Sequence, residues 1–137
     1  MVKAEVTTAP LDLAEHERLV GLPTAGAVVS FAGVVRDHDH GRSVVSLDYE
    51  AHPGAAQTLQ DVADEIAKDP GVQAVAVSHR VGPLEIGDVA LAAAVACAHR
   101  GEAFDACRRL VDEAKARLPI WKHQRFADGT DEWVNCP

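Results

Sequence analysis

"VQAVAVSHRVGPLEIGDVALAAAVACAH", Val72 to His99, decides how this chain folds. Two apolar runs stand on either side of the turn-forming PLEIG, and the second, Val89 to Ala98, contains no charged side chain. That run is about half the length a membrane-spanning helix needs, and its flanks signal turns, so it reads as a strand buried on both faces. The first run becomes its neighbour through the short connection.

Working outward, Phe104, Cys107, Val111, Ala114 and Leu118 recur three and four apart, which predicts a helix over residues 101–118 with that stripe facing the core. Pro119 ends it, because proline has no N–H and pushes the preceding residue out of helical angles. "PIWKHQ" should then run extended. On the other side, Ala55, Leu59, Val62, Ile66 and Ala67 predict an amphipathic helix that stops at Pro70-Gly71. Before it, Val45, Leu47, Tyr49 and Ala51 alternate with Ser46, Asp48 and Glu50 as in a half-buried strand. "GAVVSFAGVVR", Gly26 to Arg36, is a second β-prone run, and the intervening "DHDHGRS" has hairpin character, so these two strands are expected to pair antiparallel. "KAEVTTAPL" suggests a short strand and "DLAEHERLV" a brief helix. Helices and strands alternate irregularly, which favours α+β over a doubly wound sheet. No repeat or linker divides the chain, and residues 1–137 are read as one domain.

The net charge of −8 disfavours nucleic acid as a partner, since the phosphate backbone rewards excess Lys and Arg. Between Ala98 and Arg125, however, seven Lys or Arg face four Asp or Glu. The basic groups are concentrated where a small anion could bind. The N-terminus has no signal-peptide core, and the three cysteines, Cys97, Cys107 and Cys136, form neither a disulfide framework nor a zinc pattern. A cytoplasmic protein with no membrane contact is expected.

Three places could carry chemistry. Lys115 and Lys122 flank Pro119; Lys122 can fold back beside the helix end or point away, and spacing does not choose. Two solvated lysines, with Lys115 paired to Asp112 and favoured by the helix dipole, would satisfy the same residues. His99 and Arg100 stand where a strand ends and a helix begins, a position suited to phosphate or carboxylate, although Arg100 could instead pair with Glu102 or Asp105. Arg36, at a strand end, is either a third anion contact or an exposed charge. His38 and His40 with Asp37 and Asp39 read as a solvated loop rather than a metal site, and no HExxH, Cys/His or EF-hand pattern suggests a metal elsewhere. Phosphate loops of the GxxxxGKS/T and GxGxxG types are absent. Cys97 and Cys107 fall at core positions, which argues against cysteine nucleophilic catalysis.

Taken in order, "VSFAGVVRDHDHG", "LDYEAHPGAA", "SHRVGPLEIGDVA", "AHRGEAFDACR" and "KARLPIWKHQ" resemble the catalytic large subunit of molybdopterin synthase, from about residue 25 to Trp133-Val134. The resemblance implies an α/β hammerhead with a mostly antiparallel sheet and an added small β subdomain. It implies sulfur transfer: a small ubiquitin-like carrier subunit, ending in Gly-Gly, presents a C-terminal thiocarboxylate, and cyclic pyranopterin monophosphate (precursor Z) receives two sulfurs to form the dithiolene. No resident cofactor is implied. The assembly implied is a homodimer of large subunits within a heterotetramer. Carried over, the two active-site lysines fall on Lys115 and Lys122, the substrate-binding His-Arg pair on His99 and Arg100, a further active-site arginine on Arg36, and aromatic lining on Phe31 and Trp121. The His-Arg pair is implied to complete the neighbouring protomer's site. This chain departs from the family at Ala114, where Leu is frequent, and at Gln124, where Glu is common. It also stops soon after Trp133, so a longer C-terminal contact segment is expected to be missing. Two rivals use the same cations: a non-catalytic module that docks a carrier's tail, and an ordinary phosphate-metabolite enzyme.

Overall fold

The computed structural model describes residues 1–136, in the order β1 (Val2–Thr7), α1 (Leu13–Val20), β2 (Ala27–Val34), β3 (His38–Asp39), β4 (Arg42–Ala51), α2 (Ala55–Ile66), β5 (Val72–Arg80), β6 (Gly82–Leu84), β7 (Val89–Cys97), α3 (Arg100–Arg117), β8 (Ile120–Phe126) and β9 (Asp131–Cys136). The strands make two sheets. The first has the order β1-β5-β7-β2; the second has β3-β4-β8-β9, with β6 also paired to β4. Only β1 and β5 run parallel, so the class is the mostly antiparallel α+β fold that the sequence leads one to expect.

β7 is, with β5, one of the two interior strands of the first sheet, and it is buried along almost all its length. Its two faces meet different layers. Ala94 and Ala96, with Ala74 and Ala76 of β5, form a cluster with Val20 of α1; small side chains let that short helix lie close to the sheet. Leu91, Ala93, Val95 and Cys97 face the other way, into the main core with Leu59, Val62 and Ile66 of α2 and Leu110 and Val111 of α3. Leu59, Ile66 and Leu110 are fully buried, each contributing roughly 1.5–3 kcal/mol relative to exposure. Asp12 caps α1 by accepting from the Ala14 N–H at 3.0 Å. His16 fixes the same helix to the sheet: its Nδ1 donates to the Asp12 carbonyl at 2.8 Å, and its Nε2 accepts from the Ser78 hydroxyl at 2.7 Å.

Several expectations need correction. β2 does not pair with β4; it pairs with β7 along Ala27–Val34, while β4 crosses into the second sheet and pairs with β6 and β8. The hairpin is real but tiny, closing His38-Asp39 on Arg42-Ser43 through His40 and Gly41, whose φ angles of 49° and 78° are both positive as a tight two-residue turn requires. Val45 is exposed and Val44 buried, because the register of β4 against β8 shifts between Val44 and Ser46 and turns the side chains over. Phe104 is 62% exposed. The face of α3 pressed to the sheet is made of Ala103, Ala106, Cys107, Leu110, Val111 and Ala114, which leaves Phe104 at the flank beside edge strand β2. The connector PLEIG is partly strand, since Gly82–Leu84 pairs with β4. Val35, Leu47, Leu84 and Ala90 pack together there, at the seam where the two sheets meet.

Candidate functional site

The seam places the lysines. α3 ends at Leu118, whose backbone turns extended (φ −65°, ψ 124°) ahead of Pro119, and β8 then runs antiparallel to β4. On β8 the residues Ile120, Gln124 and Phe126 are buried, so period-two alternation puts Lys122 on the inward face as well, opposite Tyr49. Lys115 comes from the last turn of α3, and Arg36 from just beyond β2. All three cations line one cavity of about 340 Å³ together with Tyr49, Gln124 and His38. The choice that spacing left open is therefore made in the direction of convergence. Asp112, the expected local partner of Lys115, instead faces Arg108 at 3.8 Å and lines a different groove.

Two groups that sequence reasoning passed over shape this cavity. His79, 1% exposed, stacks edge-on against Tyr49 with ring centroids 5.0 Å apart, and its Nδ1–H donates to the Arg80 carbonyl at 2.8 Å. Burial pushes its pKa down to about 4 and the nearby Lys115 charge adds to this, outweighing the Arg80 hydrogen bond. The ring behind the cavity is thus neutral, and it adds no charge to repel Lys115. A histidine within the apolar run "VAVSH" was the available signal. The second group is Asp39. His38 and His40 are exposed as a solvated loop would have them, but the Asp39 side chain is only 15% exposed and accepts from Gln124 Nε2 at 2.8 Å. That hydrogen bond, and then the charges of His40, Lys122 and Arg36, hold its carboxyl below the ordinary value against the opposing effect of burial.

The other carried-over residues lie elsewhere in a single chain. His99 is the N-cap of α3 with no side-chain capping bond, and with Arg100 it borders a separate depression of about 520 Å³ floored by Gly26, Ala27 and Ala98. Gly26 is needed there: a Cβ would sit 2.7 Å from the Ala98 carbonyl oxygen. Phe31, on β2, lines the groove of about 380 Å³ that also holds Phe104, Cys107 and Val111. Trp121 is 45% exposed and points to the face of β8 opposite Lys122, so neither aromatic lines the lysine cavity. Cys97 and Cys107 are buried free thiols, and burial raises the Cys107 thiol to about 11 and the Cys97 thiol as well. The Cys136 side chain lies outside the described residues. Among the described residues, no three His, Cys, Asp or Glu are grouped to hold a metal, and no helix is long and apolar enough to cross a membrane.

Residues 6–117 match the family model described as MoaE protein. The chain belongs to the MoaE family. The matched stretch takes in Phe31, Arg36, His99, Arg100 and Lys115, and ends before Trp121 and Lys122. Among similar MoaE relatives, the molybdopterin synthase catalytic subunit of Nostoc is 40% identical over 132 residues, covering 95% of this chain and 80% of its own. Molybdopterin synthase catalytic subunit 1 of Mycobacterium tuberculosis is 41% identical, covering 94% and 88%. The crystal structure of molybdopterin synthase from Staphylococcus aureus superposes with a TM-score of 0.87 at 34% identity over 95% of each chain. In this MoaE chain the second sheet occupies the place of the added β subdomain that the resemblance implies.

Proposed function

We propose that this chain is the catalytic subunit of a molybdopterin synthase, moving sulfur from the C-terminal thiocarboxylate of a small ubiquitin-like carrier to precursor Z. The observation that carries the reading is the meeting of Lys115, Lys122 and Arg36, from three separate elements, around one cavity. Both reactants are anions. Held about 4 Å apart they repel by roughly 4 kcal/mol at an effective dielectric of 20, and clustered cations offset that cost.

Lys115 contacts the carrier's terminal carbonyl or thiocarboxylate and assists sulfur attack on the pterin side chain. Lys122 and Arg36 position substrate and stabilise charge that develops there. His99 and Arg100 lie apart from this cavity within one chain, which fits a homodimer in which they hold the phosphate at the partner's site. Phe31 and Trp121 wall that site only if a second protomer or the carrier brings them to it. A carrier ending in Gly-Gly suits the cavity, because a tail without side chains can enter a narrow space between two sheets. No resident cofactor takes part, and the chain acts as a single domain in the cytoplasm.

The test is a single-turnover reaction with thiocarboxylated carrier and precursor Z. Formation of the dithiolene product is expected. Carrier binding without product would favour a docking module, and turnover without any protein partner would favour a phosphate-metabolite enzyme.

A further inference from the structure

The lysine cavity has a carboxylate placed behind it. Asp39 does not line the space, yet its Oδ1 faces Arg36 at 3.7 Å and its Oδ2 accepts from Gln124 at 2.8 Å, while Gln124 itself lines the cavity and is 2% exposed. The tight His40-Gly41 turn brings Asp39 back toward β8, and the exposed His40 ring reaches Oδ1 at 3.0 Å. The buried amide brings no charge of its own. A carboxylate at residue 124 would oppose Asp39 within hydrogen-bonding distance, and the two could not both ionise without strong repulsion. Asp39 and Gln124 are thus a matched pair, whose single negative charge sits on the hairpin rather than on β8.

We propose that Asp39, held by Gln124, is a positioning residue that aims Arg36 and sets the net charge an incoming anion meets. The inference rests on the reading of this cavity as the sulfur-transfer site. With Asp39 ionised, three cations and one carboxylate leave the site with an excess of two positive charges; Arg36, otherwise a long exposed side chain, is drawn to the rim. Fixing such a side chain beforehand lowers the ordering cost at the moment of binding.

The test relocates the charge. Asp39→Asn keeps an acceptor for Gln124 and removes the charge; Gln124→Glu adds a second carboxylate; the double variant restores one hydrogen bond and one charge, with the donor and acceptor exchanged. Inorganic phosphate is the probe, titrated while the side-chain NMR signals of Arg36 and Lys122 are followed, and sulfur-transfer kinetics are measured separately. Asp39→Asn is expected to bind phosphate about fivefold more tightly, because losing a negative charge beside three cations outweighs the lost ordering of the exposed Arg36, and to lower kcat while KM falls, because Arg36 is no longer aimed. Gln124→Glu is expected to weaken phosphate binding, and the double variant to return both quantities toward wild type. Phosphate that leaves Arg36 and Lys122 unperturbed in wild type, an Asp39→Asn variant with unchanged affinity, or a double variant no better than the worse single one would each overturn the proposal. Loss of sulfur transfer in the wild type with the phosphate responses intact would instead count against the functional reading alone.

Discussion

The two ends of α3 both carry cations, but they are built differently. At the C-terminal end, Lys115 joins Lys122 and Arg36 in a cavity backed by neutral His79 and the Asp39-Gln124 pair. At the N-terminal end, His99 and Arg100 border an open depression whose other walls are Gly26, Ala27, Ala98 and Gly101. The first place is lined from five elements of one chain, β2, β3, β4, α3 and β8, and carries its own counter-charge. The second offers a helix terminus, a guanidinium and an imidazole with room in front of them. The difference teaches that the first end gathers its cations and their counter-charge within one chain, whereas the second leaves a helix terminus and two basic side chains facing open space.

The contrast can be broken most forcefully by removing one cation from each end. Lys122→Ala should lower single-turnover sulfur transfer about 100-fold or more, chiefly in kcat, as loss of a group stabilising developing charge does. Arg100→Ala should act mainly on KM, by about 10- to 100-fold, as loss of a charged hydrogen bond to phosphate does. Equal effects on kcat from the two variants, measured side by side, would erase the distinction.

A second prediction concerns the buried prop. The folded pKa of His79 is about 4 and the unfolded value about 6.5, so between those values the unfolded chain binds more protons and stability falls as pH falls. The full window is worth about 3.5 kcal/mol, from roughly 2.5 units at about 1.4 kcal/mol each, and about 3 kcal/mol of it is lost by pH 4. Urea titrations at pH 7 and pH 4 should show that loss, and His79→Phe should shrink the difference between the two pH values. An unchanged pH difference in the variant would show that His79 is not the group responsible.

Mixing tests whether the open end serves a neighbour. If the two ends meet across a dimer, combining equal amounts of Lys115→Ala and Arg100→Ala chains after subunit exchange, assayed with precursor Z well below the raised KM where neither parent turns over appreciably, should restore about one quarter of wild-type activity, since half the dimers then hold one intact site of two. No recovery, with exchange verified by mass, would place both ends in the same chain's site. The smallest effect is expected at the thiols: Cys97 and Cys107 should resist alkylation in the native protein at pH 7, because burial keeps both protonated, and blocking them is not what would stop transfer. Rapid labelling with loss of activity would reopen cysteine chemistry.

How much could be read beforehand follows from which interactions are local. α2, α3, β5 and β7 were legible because periodicity and punctuation record burial along each element, as with Leu59, Val62 and Ile66 before Pro70-Gly71. The partner of β2 was not legible: pairing with β7 rather than β4 is a contest between distant segments, and the DHDHGRS hairpin pointed to the nearer one. Val45 and Phe104 were misplaced because a bulge and a helix rotation each shift an apolar pattern without changing it. For the site, residue types and resemblance marked Lys115, Lys122 and Arg36, but convergence depended on the alternation of β8 and on the seam between the sheets. Asp39 looked solvated because Gln124, its partner, lies 85 positions away.

The most direct measurement is single-turnover sulfur transfer by the Lys115→Ala variant, with thiocarboxylated carrier, precursor Z and a melting curve to confirm the native fold. The account predicts a folded protein that forms no dithiolene above background. Turnover at the wild-type rate would contradict it.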